Sequence, residues 1–156
     1  MGWATPAAMG AKLAEPNKQV VAVSGDGDFL MTCQELATAV QYGIDTIHCV
    51  LNNYGWLSIR DLQLDVYGKE RGYATEFRVE STGELYSPSF TKLADAFGCH
   101  SEFVGNPEDV APALRRAFES GKPSLIEVPV QYEHPWSEGK TSGWWDVPIP
   151  AYLRKK

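Results

Sequence analysis

Apolar and polar positions alternate in blocks along the chain, and the blocks change period in a regular order. Residues 19–23 (QVVAV) and 46–51 (TIHCVL) are short apolar runs rich in β-branched side chains, the pattern of strands. Between them Thr32 and Glu35 stand three apart as a capping box, which predicts a helix over 33–42 with Gly43 as its stop. Upstream, Thr5 and Pro6 read as an N-cap and a first-turn proline, opening a helix through AAMGAKLA that Pro16 ends; its small residues allow close packing. After the second strand, 56–64 reads as a short helix. Ser87 and Pro88 then start a helix through residue 97, with Phe90, Leu93, Ala94 and Phe97 at helical spacing as a core stripe and Gly98 as its stop. A strand follows at 100–104, a helix at 107–119 capped by Asn106, a turn at 121–123 and a last strand at 124–130.

Strand, helix, strand, helix, strand is the order a parallel sheet needs. The expected fold is therefore α/β: a three-layer sandwich with a central, mainly parallel sheet and helices on both faces, followed by an irregular C-terminal tail. Residues 1–130 form the folded domain, and 131–156 form a Pro- and Trp-rich extension without helical or strand period. Trp136, Trp144 and Trp145 are costly to leave in water, so the extension is expected to lie on this domain or on a partner subunit. Residues 67–88 are polar, mixed in charge and dotted with glycine, the composition of a long surface loop of the kind that often serves as a lid. Its aromatics, Tyr67, Tyr73, Phe77 and Tyr86, with Phe90 flanking it, read as anchors. Neither an internal repeat nor a second domain is evident.

Composition narrows the classes of function. A chain of 156 residues is long enough for a real core. Its net charge of -6, with no long basic run, argues against nucleic acid as a main partner, and means that an anionic ligand needs a bridging metal. The 3 cysteines are far apart and read as reduced core residues of a cytoplasmic protein. His48, His100 and His134 are isolated, and no Cys/His cluster has zinc spacing. No apolar stretch reaches roughly 18 residues, and the start MGWATPAAMG lacks the basic residues and apolar core of a signal peptide, so no membrane partner is expected.

The chemistry concentrates in residues 24–53. The first strand runs into Gly25, Asp26 and Gly27, where glycines let the backbone turn sharply and approach a phosphate. The second strand delivers Asn52 and Asn53 to its carboxyl end. Ligands of open α/β sheets bind beyond the carboxyl ends of strands, so Asp26 and Asn53 are expected to face one crevice. One carboxylate and one amide oxygen, with a carbonyl from the loop after Asn53, suit the partial cage that Mg²⁺ prefers. Alone, a Gly-Asp-Gly turn or an Asn pair is usually only a turn or a strand end. Together, with 24 residues (28–51) between Gly27 and Asn52, they are far more specific. Because no GxGxxG follows a strand, an ordinary dinucleotide-binding domain is disfavoured.

With this spacing the sequence resembles the C-terminal diphosphate-binding domain of thiamine diphosphate enzymes, whose signature is GDG, about two dozen residues, then NN. The segment MGWATPAAMGAKLAEP resembles the stretch before that motif in acetolactate synthase-like members of the 2-oxo acid decarboxylase superfamily. The resemblance implies thiamine diphosphate and Mg as cofactors. It implies Asp26, Asn53 and the carbonyl of Gly55 as metal ligands, and Met1, Gly25, Gly27, Asp28, Asn53, Gly55 and Trp56 as cofactor-binding residues, Met1 beneath the thiazolium ring. Leu57 and Ser58 would lie nearby. Asp28 stands where many relatives have serine, and its carboxylate is unfavourable beside a diphosphate unless it points away or meets a cation. Ser58 and Leu62 stand where acetolactate synthases carry Met and Trp.

No residue of this chain reads as a general acid or base. The resemblance implies that the catalytic glutamate lies on a pyrimidine-binding domain or subunit from another polypeptide, that the assembly is an oligomer, and that the lone chain is inactive. The implied reaction makes or breaks a carbon–carbon bond beside a carbonyl, on a small 2-oxo acid or related carbonyl substrate. A subunit of a two-gene oxo-acid decarboxylase, a cyclic-dione hydrolase and a non-catalytic cofactor-binding module remain as alternatives.

Overall fold

The computed structural model describes residues 1–67 and 73–132. A helix, α1 (Ala4–Ala14), leads into strand β1 (Val21–Gly25), a short helix α2 (Asp26–Leu30), helix α3 (Glu35–Tyr42) and strand β2 (Ile47–Asn52). Helices α4 (Leu57–Tyr67) and α5 (Phe90–Phe97), strand β3 (His100–Phe103), a 3-10 turn at Pro107–Asp109, helix α6 (Val110–Glu119) and strand β4 (Ser124–Pro129) complete it. The strands form one parallel sheet in the order β1-β2-β4-β3. This is the expected α/β sandwich, with each strand displaced by no more than two residues from its sequence pattern.

The two faces follow from the period of two along each strand. Val50 and Leu125 point to one face and pack with Phe29 of α2, Leu36 of α3, and Phe90 and Ala94 of α5. Ile47 and Ile126 point to the other and meet Ala113 and Ala117 of α6. On α1, Met9 joins Ala39 and Ile44 in a third cluster. Burial of these side chains contributes most of the driving force, about 1.5–3 kcal/mol for each large aliphatic or aromatic residue.

Local signals hold in part. Gly43 and Gly98 end α3 and α5 in the left-handed conformation, at φ 63° and 85°, with their N–H groups returned to the preceding turn. The capping box does not form: residues 31–34 are turn, α3 starts at Glu35, and the buried Thr32 hydroxyl has no partner. Phe29 and Leu36 draw both ends of this stretch into one cluster, and that packing outweighs the local cap. Thr5 is not a cap either; it is buried inside α1, and Trp3 precedes the helix without a side-chain bond. Ser89 rather than Ser87 caps α5, accepting from the Lys92 N–H. Asn106 precedes the 3-10 turn without a side-chain cap.

Within the predicted loop, the described part is not featureless. The Val79 N–H donates to the Glu84 carbonyl and the Tyr86 N–H to the Phe77 carbonyl, making a small hairpin around Gly83. Phe77 is half-buried, whereas the Tyr67, Tyr73 and Tyr86 side chains are exposed; Tyr73 and Tyr86 tie the loop through their main-chain N–H groups, to Gln63 and to the Phe77 carbonyl. Trp136, Trp144, Trp145 and His134, like the rest of the C-terminal extension from residue 133, lie outside the described residues.

Candidate functional site

Strand register builds the site. Gly25 of β1 pairs with Leu51 of β2, so the chains leaving the two strands emerge side by side and bring Asp26 next to Asn52 and Asn53. Asp26 opens α2 with no exposed surface. Its Oδ1 accepts the Gly27 N–H at 2.8 Å, and its Oδ2 accepts the Gly55 N–H at 2.9 Å. Burial raises the carboxyl above the ordinary aspartate range, while the N–H groups of Gly27, Gly55, Tyr54 and Asn53 pull it back.

One end of the Asn53 carboxamide lies 3.0 Å from the Gly55 carbonyl oxygen and 3.1 Å from Asp26 Oδ1. Turned one way, it offers its NH₂ to both oxygens. Turned the other way, its oxygen becomes a third acceptor, and three converging oxygens repel one another unless positive charge sits among them. Among the described residues no group of three or more His, Cys, Asp and Glu side chains gathers, so the site has no donor set for a soft metal.

The loop that presents Gly55 is held by main-chain pairing. Tyr54 adopts φ 66°, a left-handed conformation unusual for a residue with a side chain. Its carbonyl accepts the Phe77 N–H at 2.8 Å, and the Trp56 N–H donates to the Thr75 carbonyl at 2.7 Å. Gly55, at φ 149°, fits because it has no side chain: a Cβ there would lie 2.3 Å from the Thr75 carbonyl oxygen. Arg60 and Arg78 bind the Glu76 carboxylate, which also accepts from the Tyr132 hydroxyl. Burial opposes ionisation of Glu76, but these partners outweigh it and bring the group down to about 2. The 75–78 segment is thereby clamped to α4.

The remaining expected residues divide. The Trp56 ring stands edge-on to Phe77 with centroids 4.9 Å apart, and it covers Gly27 so closely that a Cβ on that glycine would meet the indole nitrogen at 2.5 Å. The indole N–H is buried and meets no acceptor. A Cβ at Gly25 would meet open space. Asp28 turns toward the N-terminal segment: its Oδ1 accepts the Gly2 N–H at 2.5 Å and lies 3.9 Å from the Met1 nitrogen. The Met1 side chain is exposed beside it, as are Ser58 and Leu62, while Leu57 is buried. Sequence reasoning missed Thr75, Tyr54 and Glu127. Glu127 alone left a signal, since a carboxylate inside the apolar run SLIEVPV needs partners.

The sequence model of the family described as "Thiamine pyrophosphate enzyme, C-terminal TPP binding domain" matches residues 1–128. The acetolactate synthase large subunit of Lactococcus lactis is 41% identical over 128 residues, covering 82% of this chain and 21% of that one. A 3D-(3,5/4)-trihydroxycyclohexane-1,2-dione hydrolase of Halalkalibacterium halodurans is 34% identical over 149 residues, 96% of this chain and 23% of that one. Among solved structures, the thiamine diphosphate-dependent 4-hydroxybenzoylformate decarboxylase of Rhodococcus jostii RHA1 superposes with a TM-score of 0.74 at 27% identity, over 86% of this chain and 24% of that one. The chain therefore spans between a fifth and a quarter of the length of these relatives.

Proposed function

Because the chain belongs to the family of C-terminal TPP-binding domains of thiamine pyrophosphate enzymes, we propose that its crevice anchors thiamine diphosphate through a Mg²⁺ ion held by Asp26, Asn53 and the Gly55 carbonyl. The observation that carries this reading is the convergence of those three oxygen-bearing groups. Neighbouring oxygens around an octahedral Mg²⁺ at about 2.1 Å stand about 3.0 Å apart, and the Asn53 carboxamide lies 3.0 and 3.1 Å from its two neighbours. One carboxylate leaves the remaining positions for water and diphosphate oxygens. The buried indole N–H of Trp56, a donor without an acceptor beside Gly27, also fits an anionic ligand.

The residues of this chain do the work of position and charge. Asp26 must be ionised to hold the cation; burial opposes that form, the N–H groups around it favour it, and the cation's own charge would add to them. The Asp28 amide, in the first turn of α2, would donate to the diphosphate. The Gly27 amide is already engaged by Asp26, and the Asp28 carboxylate is occupied by the Gly2 N–H and lies near the Met1 nitrogen, partners that offset its charge. Gly25 leaves room for close approach, and Met1 supports the thiazolium side. When bound, the cofactor supplies the nucleophilic carbon and electron sink for making or breaking a carbon–carbon bond beside a carbonyl.

Proton transfer belongs to a glutamate on a pyrimidine-binding domain or subunit of the same enzyme, within a cytoplasmic oligomer. Residues 1–130 form the cofactor-binding domain, followed by the Pro- and Trp-rich segment 131–156. The substrate is a small 2-oxo acid or related carbonyl compound. A cyclic-dione hydrolase is the second reading: the match to such a hydrolase covers 96% of the chain, and Ser58 and Leu62 replace the Met and Trp positions of acetolactate synthases.

Calorimetry with thiamine diphosphate and Mg²⁺ tests the site. Binding that requires Mg²⁺ in the wild type and is lost in Asp26→Ala is expected; equal binding by both proteins removes the metal assignment. With both cofactors but no second protein, the purified chain is expected to leave 2-oxo acids unchanged, and turnover above background would refute the need for a partner.

A further inference from the structure

The two asparagines at the end of β2 do different work. Asn53 faces the cation site, whereas Asn52 points back to the face of the sheet that carries Glu127. Both amide hydrogens of Asn52 are used, one to Glu127 Oε1 at 2.9 Å and one to Ser87 Oγ at 2.8 Å. Its oxygen accepts the Tyr54 N–H at 3.3 Å, and its main-chain carbonyl accepts the Val130 N–H at 2.9 Å. Glu127 is buried on β4, and its other oxygen accepts the N–H groups of Phe90 at 3.1 Å and Thr91 at 3.3 Å, at the start of α5.

We propose that Glu127 is a positioning residue for the cation site, acting through Asn52 on the left-handed turn at Tyr54 that aims the Gly55 carbonyl. The proposal rests on the Mg²⁺ reading above. A left-handed conformation is unfavourable for a side-chain-bearing residue, and the Asn52 carboxamide offsets this by accepting the Tyr54 N–H. For that its own orientation must be fixed, and the carboxylate of Glu127, acceptor-only, fixes it: a carboxylate can take the Asn52 NH₂ only if the amide oxygen points to Tyr54. The other oxygen of Glu127 ties the same unit to α5, so the turn is referenced to the body of the sheet rather than to the surface loop.

The test measures Mn²⁺ affinity in the presence of thiamine diphosphate, by electron paramagnetic resonance, for the wild type, Glu127→Gln, Asn52→Ala and Asp26→Ala, with thermal melts of each. Glu127→Gln turns one acceptor into a donor facing donors. Its Mn²⁺ affinity is expected to fall about 10–100-fold, as losses in the shell behind a ligand do, while the protein still melts cooperatively. Asn52→Ala is expected to fall similarly. Adding Tyr54→Gly, which needs no help to enter the left-handed region, is expected to recover part of the loss in both. If the wild type does not bind Mn²⁺, or Asp26→Ala binds equally well, the cation reading itself fails. If Asp26→Ala loses binding but Glu127→Gln and Asn52→Ala stay within twofold of wild type, the positioning role is overturned. It is also overturned if both variants lose fold and binding together, or if Tyr54→Gly restores nothing.

Discussion

Replacing Gly55 by alanine tests whether backbone contact, rather than side-chain chemistry, shapes the site. The new Cβ would lie 2.3 Å from the Thr75 carbonyl oxygen and 2.9 Å from the Glu76 Cα, both main-chain atoms that no rotamer change can move. The φ of 149° adds about 1–3 kcal/mol of strain for a residue with a side chain. Relief requires the two segments to separate, which sacrifices the Trp56–Thr75 and Phe77–Tyr54 main-chain bonds, each worth about 0.5–1.5 kcal/mol. The sum is about 2–6 kcal/mol, a large part of the 5–15 kcal/mol that typically stabilises a domain. With a urea slope of roughly 2 kcal/mol per molar, a central loss of about 4 kcal/mol lowers the unfolding midpoint by about 2 M. Gly10→Ala is the control. It lies inside α1 with nothing within 4 Å of its Cβ position, and it is expected to raise stability by about 0.5–1 kcal/mol through helix propensity. A Gly55→Ala midpoint within about 0.5 M of wild type, or a shift of both variants in the same direction, would refute the reasoning.

Two pH predictions follow from burial. Asp26 is held above its ordinary range in the fold, so the folded state keeps its proton longer than the unfolded chain; without Mg²⁺, stability is present at low pH and falls as pH rises from the ordinary aspartate range through the folded value. Melts of wild type against Asp26→Asn should show this slope only in the wild type, with Mg²⁺ reversing it; identical slopes would disprove the assignment. His48 behaves in the opposite sense. Burial brings it down to about 4, and its Nδ1 has no partner. The fold therefore keeps it neutral, and its contribution, on the order of 3 kcal/mol, is present above about pH 6.5 and lost as pH falls toward 4. A proton NMR titration of His48 in the folded protein near 6.5 would contradict this.

Much of the arrangement is legible in the amino-acid sequence. The apolar runs at 19–23 and 46–51 become strands of a parallel sheet because β-branched runs bounded by turn signals have few other solutions, although the second is buried over most of its length while Val21 and Val23 of the edge strand stay exposed, and Gly43 and Gly98 end their helices because the left-handed stop favours glycine. The pairing of Asp26 with Asn53 follows from strand order, since ligands gather where parallel strands end. The Thr32–Glu35 box misleads for a physical reason: a cap is worth about 1 kcal/mol, and burial of Phe29 and Leu36 on either side of it is worth more.

What the sequence determined by itself is the order of strands and helices, the glycine stops at Gly43 and Gly98, and the meeting of Asp26 with Asn53 beyond the first two strands, because these follow from apolar period, turn residues and strand order. Only the tertiary structure decided that Asn52 meets Glu127. Successive residues at a strand end point to opposite faces, and the register with β4, which lies 75 residues away, selects the face. It also decided why Gly55 must be glycine, because the atom that excludes a Cβ belongs to Thr75, twenty residues further along the chain. Asp28 and its acceptance of the Gly2 N–H depend likewise on the docking of α1 against α2. Such long-range contacts are set by how the elements pack, and no local window contains them.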